Sequence, residues 1–211
     1  MPKDNISLAV VRRLPRYYRH LQELSGEGVT RISSGVLAER LGLTASQIRQ
    51  DLNCFGGFGQ QGYGYNVENL HREIGDILGL RQNLRAILIG MGNIGRALCH
   101  NFDFSSAGVT LIGLFDSAKE IVGTYTGDLL IHHIDELESF AALEQPEIAI
   151  FTLSKRSALS IAKRVSALPS VRGLWNFTNV DLRDGPGTLP VEYVNYTDSL
   201  MTLCYRVKDN R

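Results

Sequence analysis

The chain has 211 residues, 44% hydrophobic and 21% charged, with 22 basic and 22 acidic side chains and no net charge. This is ordinary globular composition, long enough for one large or two small domains. No apolar run approaches the ~18 residues that span a bilayer, the start lacks a signal-peptide core, and Cys54, Cys99 and Cys204 are too scattered for a disulfide framework or zinc site. A cytoplasmic protein without membrane contact or bound metal is expected.

The first half reads as helices. Leu8, Val11, Leu14, Tyr18, Leu21 and Leu24 recur at spacings of three and four, with Pro15 marking a start or bend. Ser33 and Ser34 are candidate caps for a helix over Val36 to Leu41, which Gly42 ends. Thr44 caps the next helix, about Ala45 to Cys54, with Gln47 placed for a capping box. Two short helices joined by a glycine-containing turn form a helix-turn-helix pattern. Residues 1–60 carry eight basic and five acidic residues, a balance of +3, compatible with nucleic acid.

Phe55 to Tyr65 alternates aromatics with five glycines over 56–64. The pattern predicts a two-stranded wing, with a flexible linker as the alternative. One more helix is expected over 67–83.

Beyond it the period changes. Ala86–Ile89, Val109–Phe115, Leu129–Ile131, Ile148–Phe151, Gly173–Phe177 and Val191–Val194 read as strands. Helical patterns at 94–102, 135–143 and 156–168 separate several of them. Alternation of this kind implies a parallel sheet with helices on both faces. The last amphipathic stretch, Thr197 to Val207, puts Leu200, Leu203, Cys204 and Val207 on one face.

Gly90-Met91-Gly92-Asn93-Ile94-Gly95 is a G-x-G-x-x-G run between a predicted strand and a predicted helix, the setting that makes it a dinucleotide fingerprint. Gly90 suits the turn, Gly92 the approach of a pyrophosphate, and Gly95 close helix–strand packing. Asp116 ends the next strand, 21 residues after Gly95, where a carboxylate would bond an adenosine ribose and repel a 2′-phosphate. This favours NAD(H) over NADP(H), and over S-adenosylmethionine. Thr152, Asn176 and Phe177 fall at later strand ends, as ligand contacts or plain strand-end residues.

His132 and His133 with Asp135 could serve as an acid/base group. The helical front leaves only one nucleotide domain and no substrate domain, so catalysis is not expected.

A winged-helix front joined to an NAD-type domain and a terminal helix resembles the bacterial redox-sensing repressors of the Rex family. The resemblance spans nearly the whole chain. It rests on Arg13-Leu14-Pro15-Arg16-Tyr17-Tyr18-Arg19, Ile32-Ser33-Ser34, Ile48-Arg49-Gln50-Asp51-Leu52 with Phe55-Gly56, Gly62-Tyr63-Gly64-Tyr65, the Gly90–Gly95 loop, Phe115-Asp116 and Leu174-Trp175-Asn176-Phe177. It implies a homodimer on palindromic double-stranded operator DNA, released by NADH and opposed by competing NAD+. It also implies a terminal helix swapped between subunits. Departures from the family pattern are Gln50, Gln60-Gln61, Asn101 and Asn195, the last followed by Tyr196.

The expected fold is therefore α/β. A winged-helix domain would cover 1–83, a Rossmann-type domain 84–194 and a dimerisation helix 195–211. On the second helix of the pair, Ser46, Gln47, Arg49 and Gln50 are candidates to face DNA. Arg49 would take guanine, and Gln47 or Gln50 adenine. Leu43, Ile48 and Leu52 would face the core, and Asp51 would pair with a nearby arginine. Arg12, Arg13, Arg16 and Arg31 could hold phosphates or be solvated surface charges, and the wing would add Gln60 and Tyr63. An apolar nicotinamide pocket containing Tyr196 would favour a neutral ring, although an aromatic face also attracts cations. The resemblance decides for NADH.

Overall fold

The computed structural model describes residues 6–59, 63–182 and 189–209. The chain divides into two compact units, Met1–Gln82 and Asn83–Arg211.

In the first unit, α1 (Leu8–Val11) and α2 (Leu14–Gly26) are separate helices. Pro15 stands in the first turn of α2, where its missing N–H leaves no bond unmade. After β1 (Arg31–Ile32), Ser33 caps α3 (Ser34–Leu41) by accepting from the Val36 N–H at 3.2 Å. Gly42 closes α3 in the left-handed conformation, φ +66°. Thr44 caps α4 (Ala45–Asn53), accepting from the Gln47 N–H at 3.1 Å. The expected capping box is only half present: the Gln47 side chain turns to Asp51 instead.

The middle of the glycine-rich segment, 60–62, where the hairpin is expected to turn, lies outside the described residues. The strand that follows, β2 (Tyr65–Asn66), pairs antiparallel with β1, Arg31 opposite Asn66 and Ile32 opposite Tyr65. Phe55, Phe58 and Tyr65 pack against the core of this unit and anchor the segment. Gln60 and Gln61, the expected wing tip, lie outside the described residues. Asn66 then caps α5 (Val67–Leu78). This helix ends before residue 83 because Gly79 takes φ +75°. Its apolar stripe of Val67, Leu70 and Ile74 packs on Leu14, Tyr17, Leu21 and Leu24 of α2.

The second unit is a seven-stranded sheet. Its strands are β3 (Leu84–Ile89), β4 (Val109–Asp116), β5 (Tyr125–Thr126), β6 (Leu129–His133), β7 (Ile148–Phe151), β8 (Gly173–Asn176) and β9 (Val191–Tyr193), in the spatial order β5-β6-β4-β3-β7-β8-β9. All pairs are parallel except β5–β6, an edge hairpin the sequence reading did not foresee. Alternation along β3 splits the core. Ile87 and Ile89 join Phe115 of β4, Leu137 and Ala141 of α7 (Leu137–Glu144), and Ile161 and Val165 of α8 (Lys155–Ser166). Ala86 and Leu88 face Leu114, Ile150 and Leu98, the last from α6 (Asn93–Asn101). Helices therefore cover both faces, and the sheet is buried as parallel sheets must be.

Strand order reverses between β3 and β7, so a crevice opens at their carboxyl ends, the usual ligand position of an open α/β sheet. The last helix, α9 (Tyr196–Asp209), is capped by Asn195, whose Oδ1 accepts from the amides of Thr197 (3.0 Å) and Asp198 (3.2 Å). Leu200, Leu203 and Val207 on it are each more than half exposed. No helix among the described residues is long and apolar enough to cross a membrane.

Candidate dinucleotide site and nucleic-acid face

The glycine loop joins β3 to α6 at the crevice. Gly90 holds φ +105°, and a Cβ there would come within 2.8 Å of the Thr152 backbone. A Cβ on Gly95 would lie 2.1 Å from the Gly90 oxygen, so helix and loop meet with no room for a side chain. Gly92, the α6 cap residue, differs: φ is −71° and a Cβ there would meet nothing within 4 Å. It supplies no side-chain cap, so the first amides of α6 face the crevice with the positive end of the helix behind them.

Three side chains fix this loop. Thr152 Oγ1 donates to the Gly90 oxygen at 2.6 Å. Asp116 accepts from the Met91 N–H at 2.6 Å with one oxygen, and from the amides of Ser117 (2.7 Å) and Ala118 (2.9 Å) with the other. The oxygen that holds Met91 keeps a second lone pair for a ribose hydroxyl, while the other already accepts two amides. Arg96, in the first turns of α6, donates to the Met91 oxygen at 2.9 Å and to Asn93 Oδ1 at 3.0 Å. The sequence reading passed over Arg96. Its one signal was a cation at the start of a helix, the end that disfavours it.

Asn176 is 1% exposed, accepting from the Thr178 amide and hydroxyl and donating to the Val180 carbonyl. It organises the turn after β8. Phe177 is buried beside it, with its ring 6.3 Å from the exposed Tyr196 ring. An open hollow of about 370 Å³ lies next to the loop, lined by Asn93, Ile94, Ala97, Leu98, Asn101, Phe102 and Tyr196. Its walls are largely apolar and suit a neutral ring better than a buried cation.

His132 pairs with Glu136 and His133 with Asp135, each at 3.2 Å. Among the described residues no group of three or more His, Cys, Asp or Glu side chains is placed to hold a metal.

In the first unit, Ser46, Arg49 and Gln50 lie on the exposed side of α4, while Ile48 and Leu52 are buried. Arg49 donates to Ser34 Oγ at 3.0 Å, which ties it to the start of α3. Arg16 donates to the Leu41 carbonyl at the end of α3 (2.9 Å). Arg31 reaches the Tyr63 carbonyl at 3.4 Å, with its guanidinium 5.9 Å from the Tyr63 ring. Arg12 is exposed at the end of α1.

Two further DNA candidates, Arg13 and Gln47, are tied to a buried carboxylate. Asp51, 1% exposed, receives both arms of Arg13 (2.6 and 2.7 Å), the Tyr17 hydroxyl (2.6 Å) and Gln47 Nε2 (2.8 Å). The expected Asp51–arginine pair is therefore present, and it draws Arg13 and Gln47 inward. Burial pushes the Asp51 carboxyl up, but the bonds from Arg13, Tyr17 and Gln47 outweigh it and hold the carboxyl below its ordinary range. Asp51 in turn raises Arg13, while burial and then Asp51 raise the Tyr17 phenol.

Comparison with known proteins finds a family match in each half of the chain. Residues 5–53 match the family model described as "Putative DNA-binding protein N-terminus", and residues 81–180 match "CoA binding domain". The redox-sensing transcriptional repressor Rex of Clostridium novyi (strain NT) is 47% identical over 203 residues, covering 96% of each chain. Its namesake in Clostridioides difficile (strain 630) is 45% identical over 207 residues, covering 98% of each. A solved structure of RSP in complex with β-NAD+ and operator DNA superposes with a TM-score of 0.91 at 43% identity, over 98% of this chain and 94% of that one. RSP in complex with β-NADH gives 0.89 at 40% identity, over 97% and 95%.

Proposed function

The chain belongs to the Rex family of redox-sensing transcriptional repressors, and from that premise we propose that it is a cytoplasmic homodimer that binds palindromic operator DNA and is released by NADH. NAD+ competes for the same crevice and opposes release. The protein is a regulator and not an enzyme. One observation carries the reading: a capped helix-turn-helix with Ser46, Arg49 and Gln50 exposed shares a chain with a glycine-loop crevice closed by Asp116.

Residues 1–83 form the DNA-binding domain, 84–194 the nucleotide domain and 195–211 the dimerisation segment. Arg49 reads guanine, and Gln50 reads adenine, a role for which Gln47 would have to leave Asp51. Ser46, Arg12, Arg16, Arg31, Gln60 and Tyr63 contribute backbone contacts, and Arg13 acts as a brace with any phosphate contact secondary. The pyrophosphate lies on the amides of Gly92, Asn93 and Ile94, with Gly90, Met91 and Gly95 shaping the loop. Asp116 takes the adenosine ribose, and Thr152, Asn176, Phe177 and Tyr196 frame the nicotinamide end. The apolar hollow favours the neutral dihydronicotinamide over the cation.

Helix α9 needs a covering surface for Leu200, Leu203 and Val207, and exchange between two copies supplies it. NADH then stabilises one dimer arrangement and changes the half-site spacing. Coupling of this kind is about 1–3 kcal/mol and is reciprocal, so operator DNA weakens NADH binding by the same factor. A titration of a Rex operator with and without NADH tests the reading. The expected result is a roughly 5- to 150-fold loss of DNA affinity with NADH, opposed by NAD+. Unchanged affinity would refute it.

A further inference from the structure

We propose that Arg96 is a positioning residue for the dinucleotide: it holds the Met91 peptide so that the amides of Gly92, Asn93 and Ile94 face the pyrophosphate before it arrives. This rests on the dinucleotide reading of the crevice and adds a residue that the glycine motif does not contain.

Met91 is the residue at which the chain leaves β3 and turns into α6. Both of its backbone groups are taken by charged side chains. Its N–H is held by Asp116 at 2.6 Å and its carbonyl by Arg96 at 2.9 Å. The second arm of Arg96 holds Asn93 Oδ1 at 3.0 Å, across the exposed Gly92. One planar fork thus bridges the residues on either side of the glycine that must approach the phosphates. A guanidinium suits this because its donors are fixed relative to one another, and bonds to a charged donor are the stronger kind. The position otherwise disfavours a cation, since it lies at the positive end of α6. Arg96 is exposed, and no carboxylate ion pair engages it among the described residues. Its two bonds to the loop are what the structure shows it doing.

A loop held this way is competent for ligand from the start. If removal of the fork lowers the competent fraction to between a third and a tenth, apparent NADH affinity falls by about 3- to 10-fold.

The test uses Arg96→Ala and Arg96→Lys in the full-length protein. NADH binding is measured by calorimetry, and adenosine, which has a ribose and no phosphate, by NMR titration. Both variants are expected to weaken NADH about 3- to 10-fold, to keep adenosine affinity within about twofold, and to melt with the parent. Lysine keeps the charge but replaces the planar two-armed fork by one compact ammonium on a flexible stem, so it should not restore full affinity. Parental NADH affinity in Arg96→Ala overturns the proposal. Full rescue by lysine overturns it in favour of simple charge attraction. Equal losses for NADH and adenosine overturn it in favour of general collapse of the site. Failure of the parent protein itself to bind NADH would instead refute the dinucleotide reading.

Discussion

Replacing Asp51 with alanine should destabilise the DNA-binding unit by about 3 kcal/mol. The side chain is buried and accepts four hydrogen bonds, two of them from a guanidinium. Removing one member of a buried ion pair costs about 3–5 kcal/mol, because the other charge is left without compensation. Arg13 is 25% exposed and can turn toward water, which places the loss at the lower end of that range. The buried Tyr17 hydroxyl loses its acceptor as well, so the effect should not fall far below it. A unit of 82 residues has only about 4–12 kcal/mol in total, and each kcal/mol shifts its melting point by about 4–8 °C. Far-UV circular dichroism of the full chain should therefore show one transition lowered by about 12–24 °C. Trp175, the only tryptophan, lies on β8 of the other unit, so its fluorescence transition should stay in place. The pH dependence has a definite sign. The folded Asp51 carboxyl is held below its unfolded value, so its contribution is complete above about pH 3.9 and is lost as pH falls through the folded value. The variant should lack that portion of the acid destabilisation. A shift below about 1 kcal/mol, or unchanged acid unfolding, would refute the view that this cluster braces α2 against α4.

Arg49→Ala should lose about 1–3 kcal/mol per half-site on operator and much less on random DNA, checked by parallel titrations; equal losses would remove its base-reading role. Asp116→Ala should weaken NADH about 10- to 100-fold in calorimetry and narrow the gap to NADPH, since the carboxylate holds the Met91 amide as well as the ribose. Deleting residues 196–211 should give a largely monomeric protein in sedimentation that binds operator poorly and ignores NADH. A truncated dimer still released by NADH would contradict the role given to α9.

Local signals in the sequence were read well where their physics is local. Ser33, Gly42 and Thr44 mark helix ends by chemistry confined to three or four residues, and the structure uses all three. The strand–glycine–helix order from Leu84 to Asn101 is legible for the same reason. What escaped depends on distance along the chain. β1 and β2 are two residues each, too short for any alternation, and pair only because the chain returns from Ile32 to lie beside it at Tyr65. Tyr125–Thr126 is equally short. Gln47 fits a capping box by spacing, but the buried Asp51 carboxylate one helical turn away is the stronger acceptor for its amide. Tyr17 and Asp51 are 34 residues apart, and nothing in either segment announces that they meet. Arg96 escaped because the glycine motif describes a backbone path and not the side chains that hold it.

The three glycines of the loop are not equivalent in what forbids their replacement. Gly90 and Gly95 are fixed by the fold itself, since added atoms would collide with Thr152 and with the Gly90 oxygen. Gly92 has an ordinary φ and empty space around it. Folding makes no demand for glycine there, and the demand arises only once a pyrophosphate comes to lie against the backbone. A methyl group at that point should even favour the folded chain slightly, by about 0.4–1 kcal/mol, through reduced freedom when unfolded. Gly92→Ala should thus separate two properties that most site mutations confound. The protein would fold and hold its operator, yet be deaf to the nucleotide, a repressor fixed in one of its two states by a single carbon atom.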